Sequence, residues 1–390
     1  MNQSKRRKIF ICTTDHSGDF HGALLAAALK KEDPQVELCG VGGGLMAGQG
    51  VRLIFNPVSH AVVGFFEIMR SLPTWRKFLD RAAEGVLQEK PEKVILIDSP
   101  SFNLRLLRRF KDNRKERFIY YISPQVWAWG SGRVKEIAAS CERVLVIFPF
   151  EEDIYRKAGV PVSFVGHPFL DTVKPLLNPA DSFRSFALSP DKPVVLLLPG
   201  SRISEVKAIF PAMAEVARRL MQDGPVQAVV YPASPEIGRE LSGAPGIKII
   251  TGGDKYSLFS IATLALATSG SVTLELTLLS VPYVLLYRLS RLTYLALRPM
   301  VRVPYAGIAN LLAGKRVASE FIQAHCRPER IVPVTRELLR DEQRRNMMKE
   351  EFAKIRSVLG QPGAAARAAH EILSPLTIPP PGGERMKVRG

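Results

Sequence analysis

The sequence is poor in metal-binding and disulfide-forming side chains. Its 390 residues include 4 cysteines and 6 histidines, and no two cysteines form a CxxC pair. Isolated cysteines indicate neither a zinc site nor a disulfide framework, and the scattered histidines give no ligand cluster. We therefore expect a protein of a reducing, cytoplasmic setting that binds no metal. The cysteines are Cys12, Cys39, Cys141 and Cys326.

Common nucleotide motifs and a membrane-spanning run are also missing. No stretch reads GxxxxGK[ST] or a strand-linked GxGxxG, and GVGGG at 40–44 is only a weak match to the second. The region 256–287 has Glu275 as its single charge, but SGS at 269–271 and Pro282 interrupt it, so it predicts strand, helix, strand. The apolar run after the basic start has only about five residues, too few for a signal-peptide core, and predicts a first strand.

Acidic residues are few compared with basic ones. The chain has 54 Lys plus Arg against 37 Asp plus Glu, a formal net charge of +17, which favours anionic partners. The window 276–319 has no acidic residue, and the stretches 64–81 and 288–305 mix bases with large apolar side chains. Both stretches are typical either of helices resting on an anionic membrane surface or of amphipathic helices packed on their own domains. No nucleic-acid-binding motif accompanies the bases, so we expect no nucleic-acid partner.

The chain does contain a regular alternation of strand and helix patterns. KIFICTT precedes GALLAAALKK and KVILIDSP precedes FNLRLLRRF, and a second series starts at PVVLLLPGS. Such alternation is typical of parallel sheets covered by helices. We predict α/β domains at 1–175 and 194–345 around a cleft, with a linker at 176–193. Helices at 346–376 that pack back on the first domain and a disordered tail at 377–390 complete the prediction.

Two loops of the second domain have the composition of phosphate-binding loops. In LLLPGSRISE, Gly200 allows close approach of the backbone to a ligand, the following helix start favours negative charge, and Arg202 can bind phosphate bidentately. ATSGSVTLE repeats the pattern with Ser269–Ser271, and Glu275 can accept hydrogen bonds from ribose hydroxyls. Both loops fit a nucleoside diphosphate, and the alternatives are an ordinary turn and an ordinary helix cap.

The first domain places carboxylates after two of its strands. KVILIDSP ends on Asp98, where a carboxylate can take a proton from an attacking hydroxyl or can cap the helix that follows Pro100. TTDHSGDFHG brings Asp15, Asp19 and His21 together directly after the first strand. Both loops follow strand ends, where open α/β sheets bind ligands.

The ordered motifs SGDFHG, GVGG, VGFFE, IDSPSFN, YYISPQVWAW, RVLVIFPFEE, VGHP, LLPGSR, TSGSVTLE, VPY and NLLAGK resemble those of the lipid-A-disaccharide synthases over roughly residues 8–325. The resemblance implies a GT-B glycosyltransferase with two Rossmann-like domains facing a central cleft. It implies inverting transfer of 2,3-diacylglucosamine from its UDP derivative to the 6-hydroxyl of 2,3-diacylglucosamine 1-phosphate. It further implies no cofactor, peripheral association with the cytoplasmic face of the inner membrane of a Gram-negative bacterium, and allows a homodimer.

The resemblance also assigns roles to residues. Asp98 becomes the candidate base, Arg202 and the helix start at 269–271 would stabilise the leaving diphosphate, and Glu275 would hold the ribose. Asn310 would line the nucleotide side. The expected catalytic residues are Asp98, Asp15 and Arg202, and the expected substrate-binding residues are Ser17, Gly18, Asp19, His21, Gly200, Ser201, Ser269, Gly270, Ser271, Thr273, Glu275 and Asn310.

One loop departs from the family pattern. Where the family usually reads A-G-E-x-S-G-D, this chain has Thr14 for the Gly and Asp15 for the Glu. We interpret the loop as shaping the acceptor site and not as a metal cage. The shorter Asp15 would retract a carboxylate by about 1 Å, enough to change catalysis, and it competes with Asp98 for the role of base. Two alternatives stay open: another GT-B enzyme, such as a UDP-sugar transferase or epimerase, and a non-catalytic lipid-binding protein.

Overall fold

The computed structural model describes residues 6–58, 72–110, 117–127, 132–241, 245–289, 294, 298 and 303–375, and the structural statements below concern these residues. Their contacts divide the chain into two units. The first contains the described parts of 1–126, 130–166 and 363–390, and the second those of 127–129 and 167–362.

The first unit is built on a parallel sheet of seven strands in the order β3-β2-β1-β4-β5-β6-β7. The strands are β1 (Lys8–Cys12), β2 (Glu37–Val41), β3 (Arg52–Phe55), β4 (Lys93–Ile97), β5 (Arg117–Tyr121), β6 (Arg143–Val146) and β7 (Val162–Phe164). Its helices begin with α1 (His16–Glu32), α2 (Gly44–Gly48), α3 (Leu72–Glu89), α4 (Pro100–Arg109), α5 (Gly132–Ser140) and α6 (Pro149–Lys157). Strand β4 is buried along its whole length, as expected of a central parallel strand with helices on both faces.

The second unit is built on a parallel sheet of six strands in the order β10-β9-β8-β11-β12-β13. The strands are β8 (Val194–Leu198), β9 (Gln227–Val230), β10 (Ile247–Ile249), β11 (Leu264–Thr268), β12 (Tyr283–Tyr287) and β13 (Glu320–Ile322). The helices are α7 (Phe169–Thr172), α8 (Pro179–Ser185), α9 (Ile203–Asp223), α10 (Pro235–Glu240), α11 (Lys255–Ser260), α12 (Ser271–Leu278), α13 (Ile308–Ala313), α14 (Pro328–Arg340) and α15 (Glu342–Val358), with a 3₁₀ turn at Gln323–His325. These two sheets confirm the predicted pair of parallel α/β domains.

The C-terminal helices, which were all expected to pack on the first domain, are divided between the two units. Helix α15 belongs to the second unit, because its Phe352 is fully buried and stacks on Tyr283 of β12 with ring centroids 5.5 Å apart. Only the last helix, α16 (Ala364–Leu373), belongs to the first unit. It packs along α1, and His370 Nδ1 lies 2.8 Å from Glu32 Oε1.

The predicted linker at 176–193 is an ordered part of the second unit. The backbone amides of Leu176 and Leu177 donate to the hydroxyl of Ser257 at 3.1 and 2.9 Å. Helix α8 follows, and Phe186 after it is buried. The Pro, Asp and Ser residues that suggested a linker therefore start and cap a short helix, since Asn178 accepts a hydrogen bond from the Asp181 amide.

In each sheet the strand order reverses beside its first strand, between β1 and β4 and between β8 and β11. Open α/β sheets bind ligands at such switch points, outside the carboxyl ends of the strands. We call residues 13–19 with 98–103 the first switch site, and residues 199–205 with 268–275 the second switch site. Every catalytic candidate from the sequence lies in one of them.

Candidate active site

Asp98 ends β4 in a strained backbone conformation. Asp98 and Ser99 have φ angles of 42° and 44°, in a left-handed region that costs a non-glycine residue about 1–2 kcal/mol. Two side chains hold this conformation, since Tyr120 Oη donates to the Asp98 carbonyl at 2.7 Å and Asn103 Nδ2 at 2.8 Å. The chain then enters α4 at Pro100. Strain maintained in this way at the end of a strand is a mark of a functional position.

The Asp98 carboxyl is partly buried, and its pKa is raised to about 7. Burial is the main cause because it disfavours the charged form, and the negative charge of Asp15 adds to it. A hydrogen bond from the Ser99 backbone opposes the shift without cancelling it. A carboxyl group with this pKa is charged in about half of the molecules at neutral pH and accepts a proton more readily than an ordinary aspartate, which suits a general base.

Asp15 joins the two loops of the first switch site. It is the N-cap of α1, where Oδ1 accepts from the Gly18 amide at 2.7 Å, and its Oδ2 accepts from the Ser99 hydroxyl. Ser99 Oγ also accepts from the Thr14 amide at 3.0 Å and lies 3.2 Å from Thr13 Oγ1. Both oxygens of Asp15 are therefore engaged. An aspartate is a favoured N-cap residue, which gives the Asp15 of this chain a structural use of its own.

Asp19 has a structural role, and its expected contact with substrate stays a prediction. Its buried carboxylate accepts hydrogen bonds from three backbone amides, those of Gly43 at 2.8 Å, Met46 at 3.1 Å and Leu45 at 3.1 Å. These amides belong to the start of α2, where helix N–H groups need acceptors. Asp19 therefore fixes the turn between β2 and α2.

The other residues of this loop separate into buried and exposed positions. His21 is buried, and burial lowers its pKa to about 4, so that the imidazole is neutral at physiological pH. Gly18 lies against Thr13, because a Cβ atom on Gly18 would stand 1.8 Å from Thr13 Oγ1. Ser17 and His16 are exposed in the first turn of α1. Ser17 is therefore accessible to solvent, and its expected contact with substrate stays a prediction.

The second switch site is more open. Gly200 has a φ of 114°, and a Cβ atom there would lie 2.9 Å from Glu205 Oε2. The side chain of Arg202 is 74% exposed, and its Nη1 donates to Glu205 Oε1 at 2.7 Å. Ser201 is exposed as well. A bound anion would therefore compete with Glu205 for the guanidinium of Arg202.

The loop after β11 presents an accessible helix start. Gly270 and Ser271 are exposed, and no other atom lies within 4 Å of a Cβ built on Gly270. Ser269 Oγ donates to the Ala306 carbonyl at 2.9 Å, and the buried Thr273 donates to the Gly270 carbonyl at 2.8 Å. Thr273 and Ser269 therefore shape the turn, whereas Gly270 and Ser271 face solvent at the amino end of α12, where anions are favoured.

Glu275 is buried in an ion pair that the sequence analysis did not foresee. Its Oε2 lies 3.1 Å from Lys255 Nζ, and the same ammonium stands 4.6 Å from the centroid of the Tyr256 ring. Lys255 precedes Glu275 by 20 residues and starts α11. A buried carboxylate needs such a partner, so a ribose at Glu275 would meet a carboxylate–ammonium pair.

The side chain of Asn310 is fully hydrogen-bonded within its own unit. Its Nδ2 donates to Ala318 O and to Glu320 Oε1, both at 2.8 Å. Its Oδ1 accepts from the amides of Val317 at 2.7 Å and Ala318 at 2.8 Å. A side-chain amide has two donor hydrogens and two acceptor positions, and all four are occupied. The side chain of Asn310 therefore joins α13 to β13, and its expected place on the nucleotide side stays a prediction.

The described residues contain no group of three or more His, Cys, Asp or Glu side chains arranged to hold a metal ion. None of the helices in the described ranges combines the length and apolarity that a membrane span requires. Most of the two basic stretches, including 64–71, lies outside those ranges. Within 72–81, Trp75, Phe78 and Leu79 pack against the core of their own unit, and Arg76 is exposed.

Comparison with known proteins identifies the family. The family model described as Lipid-A-disaccharide synthetase matches residues 9–373. The chain belongs to the lipid-A-disaccharide synthase family. The lipid-A-disaccharide synthase of Myxococcus xanthus (strain DK1622) is 38% identical over 381 residues, which cover 96% of this chain and 98% of that protein. The one of Syntrophus aciditrophicus (strain SB) is 40% identical over 370 residues, covering 93% and 96%. The chain is therefore a UDP-sugar-dependent glycosyltransferase of lipid A biosynthesis, as the resemblance implied.

Solved structures with a similar fold have more distant sequences. The UDP-GlcNAc 2-epimerase from Neisseria meningitidis bound to UDP-GlcNAc has a TM-score of 0.64 at 13% identity and covers 95% of this chain and 100% of its own. A calicheamicin glycosyltransferase has a TM-score of 0.57 at 16% identity and covers 94% and 98%. These similarities confirm the GT-B type of fold for the lipid-A-disaccharide synthase family member and carry no chemistry to it.

Proposed function

We propose that the chain transfers 2,3-diacylglucosamine from UDP-2,3-diacylglucosamine to the 6-hydroxyl of 2,3-diacylglucosamine 1-phosphate, with inversion at the anomeric carbon and release of UDP. The observation that carries the proposal is the position and the raised pKa of Asp98. In a member of this glycosyltransferase family, Asp98 stands at a switch point of the sheet with a pKa of about 7.

On the acceptor side, Asp98 is the general base. Its carboxylate takes the proton of the 6-hydroxyl while the hydroxyl oxygen forms a bond to the anomeric carbon of the donor. The bond from that carbon to the diphosphate oxygen breaks on the opposite face, which inverts the configuration. Asp15 supports this role from its fixed position, because its charge helps to raise the pKa of Asp98.

On the donor side, the second switch site binds UDP. Arg202 and the accessible helix start at Gly270 and Ser271 balance the negative charge that develops on the leaving diphosphate. The pair of Glu275 and Lys255 offers an acceptor and a donor to the ribose hydroxyls. These roles need no metal ion.

Both substrates are anionic and acylated, and the net charge of +17 suits them. We propose that the protein meets them at the cytoplasmic surface of the inner membrane, through the basic stretches 64–81 and 288–305. The exposed Arg76 and the bases that surround it in the sequence would attract anionic lipid. The homodimer stays a prediction.

The test is product formation. Purified protein is mixed with both substrates in detergent, and the products are identified by mass spectrometry. We expect a disaccharide 1-phosphate and UDP, with a β-1,6 linkage by NMR, and loss of both in Asp98→Ala. UDP binding by a folded protein that makes no disaccharide would overturn the proposal in favour of a lipid-binding protein. Conversion of UDP-GlcNAc alone would favour an epimerase.

A further inference from the structure

A cavity of about 600 Å³ lies in the first unit between α3 and α4. It adjoins the first switch site through Ser101 and Phe102, and its other lining residues belong to neither switch site. Its walls include Trp75, Arg76 and Leu79 from α3 and Ser101, Phe102 and Arg105 from α4. We call this cavity the arginine pocket.

The guanidinium groups of the arginine pocket differ in their partners. Arg109, which also lines it, donates to Asp80 Oδ1 at 2.6 Å. Arg76 and Arg105 are exposed, and no described carboxylate forms an ion pair with either of them. In contrast, Arg108 on the same helix forms two hydrogen bonds with Glu136, at 2.6 and 2.9 Å. Two guanidinium groups that have no carboxylate partner among the described residues line one cavity. This arrangement favours an anionic ligand, and phosphate suits its geometry.

The arginine pocket also has an apolar wall, which is formed by aromatic residues. Phe102 is buried, Trp75 is partly buried, and their ring centroids are 6.0 Å apart. Leu79 and Trp75 pack against the hydrophobic core and keep part of their surface in the pocket. A wall of this kind binds methylene groups by removing them from water. The pocket therefore suits a ligand that has both a phosphate and an alkyl chain.

The position of the pocket relates it to Asp98. Ser101 is three residues after Asp98, so their Cα atoms are at most about 11 Å apart. Arg105 lies one helical turn further along the same face of α4, a rise of about 6 Å. In the acceptor, the 6-hydroxyl and the 1-phosphate are attached on either side of the ring oxygen of a single sugar. A sugar with its 6-hydroxyl at Asp98 therefore has its phosphate within one ring of that carboxylate, and α4 leads from Asp98 to the arginine pocket.

We propose that the arginine pocket binds the 1-phosphate of the acylated acceptor. Arg76 and Arg105 contact the phosphate oxygens, and Trp75 and Phe102 contact the first methylenes of an acyl chain. The inference rests on the proposed function, because it takes the acceptor from it. An anionic phospholipid of the membrane has the same combination of phosphate and acyl chain, so the experiment separates the two sources.

The first arm of the experiment is steady-state kinetics in detergent micelles. Arg76→Ala and Arg105→Ala should each raise KM for the acceptor about tenfold to a hundredfold, because each removes a charged hydrogen-bond donor. KM for UDP-2,3-diacylglucosamine should not change. Arg108→Ala is the matched control, since this exposed arginine of α4 pairs with Glu136 and does not line the pocket. Unchanged acceptor KM in the double variant would overturn the proposal.

The second arm measures binding without turnover, by native mass spectrometry of detergent-solubilised protein. The probes are 2,3-diacylglucosamine 1-phosphate and 2,3-diacylglucosamine without the phosphate. The wild type should bind the phosphorylated probe at least about tenfold more tightly, and the Arg76→Ala/Arg105→Ala variant should bind both probes equally. Equal binding of both probes by the wild type would overturn the proposal, whatever the kinetics show.

A flotation assay with phosphatidylglycerol vesicles identifies the source of the phosphate. Wild type and double variant should both float, with only the small loss expected from removing one base of the stretch 64–81. If the double variant loses vesicle binding and keeps its preference for the phosphorylated probe, the arginine pocket is a phospholipid site and the proposal is wrong. Failure of the proposed function would appear differently, as absence of disaccharide from the wild type, and the binding measurement would still decide whether the pocket holds the phosphate.

Discussion

The two switch sites occupy equivalent positions in two sheets of the same topology, yet their chemistry is opposite. At the first, Asp15 and Ser99 tie the two loops together, and the Asp98 carboxyl is partly withdrawn from water. At the second, Arg202 is 74% exposed and Gly270 faces open space. A general base needs a fixed and poorly solvated carboxyl group, whereas a diphosphate site needs accessible donors. The same backbone arrangement serves both needs through the residues that follow the strands.

The largest effect is expected from a substitution that inactivates the first switch site alone. Asp98→Asn keeps the shape of the side chain and a residue that tolerates a left-handed conformation, but it removes the base. We expect kcat to fall about a hundredfold to ten-thousandfold, measured as disaccharide formed. The affinity for UDP, measured by calorimetry, should not change, because we propose that UDP binds at the second site. Activity within tenfold of wild type would instead make Asp15 the candidate base.

The substitution Arg202→Ala should impair the second switch site. Loss of a charged donor to the diphosphate should weaken UDP binding about tenfold to a hundredfold, measured by calorimetry. Arg218→Ala is the matched control, because Arg218 lies on the same helix and pairs with Glu215 at 2.7 Å. Equal UDP affinity in both variants would remove Arg202 from the diphosphate site.

A smaller effect, a shift in the pH dependence of activity, tests the coupling between Asp15 and Asp98 at the first switch site. In the wild type, kcat/KM should rise with pH through about 7, as Asp98 loses its proton. Asp15→Asn removes the charge that helps to raise the pKa of Asp98 and retains an N-cap residue. The rise should then occur at lower pH, which a pH series of initial rates measures. Asp153→Asn, on the exposed surface of α6, should leave the profile in place, and a profile unmoved by Asp15→Asn would contradict the coupling.

The smallest effect is expected at the second site and has the opposite sign. Glu205→Gln removes the carboxylate that pairs with Arg202 and frees the guanidinium for UDP. Exposed ion pairs are worth little, so UDP affinity should increase only about two- to fivefold. Glu215→Gln, which frees Arg218 in the same way, should not change it. Weaker UDP binding in Glu205→Gln would mean that Glu205 orients Arg202 instead of competing for it.

Strand and helix periodicity was enough to predict two parallel α/β domains, because long buried strands such as β4 have unmistakable patterns. Short edge strands such as β7 and β13 were not predicted from the sequence. Strands β7 and β13 have three residues each, lie at sheet edges and are only partly buried. A pattern of three residues carries too little periodicity to separate a strand from a loop.

The loops of both switch sites could be predicted from their residue types, but the partners of individual side chains could not. Asp19 and Asn310 look like ligand-binding residues in the sequence, and their hydrogen bonds with amides of their own fold could not be predicted. The Ser99 partner of Asp15 is 84 residues away, and Lys255 is 20 residues from Glu275. Such pairings depend on tertiary contacts, which local sequence patterns do not predict.

The pKa of Asp98 also makes folding itself a proton-binding reaction. Its carboxyl titrates near pH 7 in the folded chain, against 3.8 as the ordinary value. Between these values the folded protein holds a proton that the unfolded chain releases. The stability that this group contributes is full below about pH 4 and is lost as pH rises through 7. The slope of the unfolding free energy against pH in this window should be smaller in Asp98→Asn. The proposed base of the reaction therefore also makes the folded protein less stable as the pH rises.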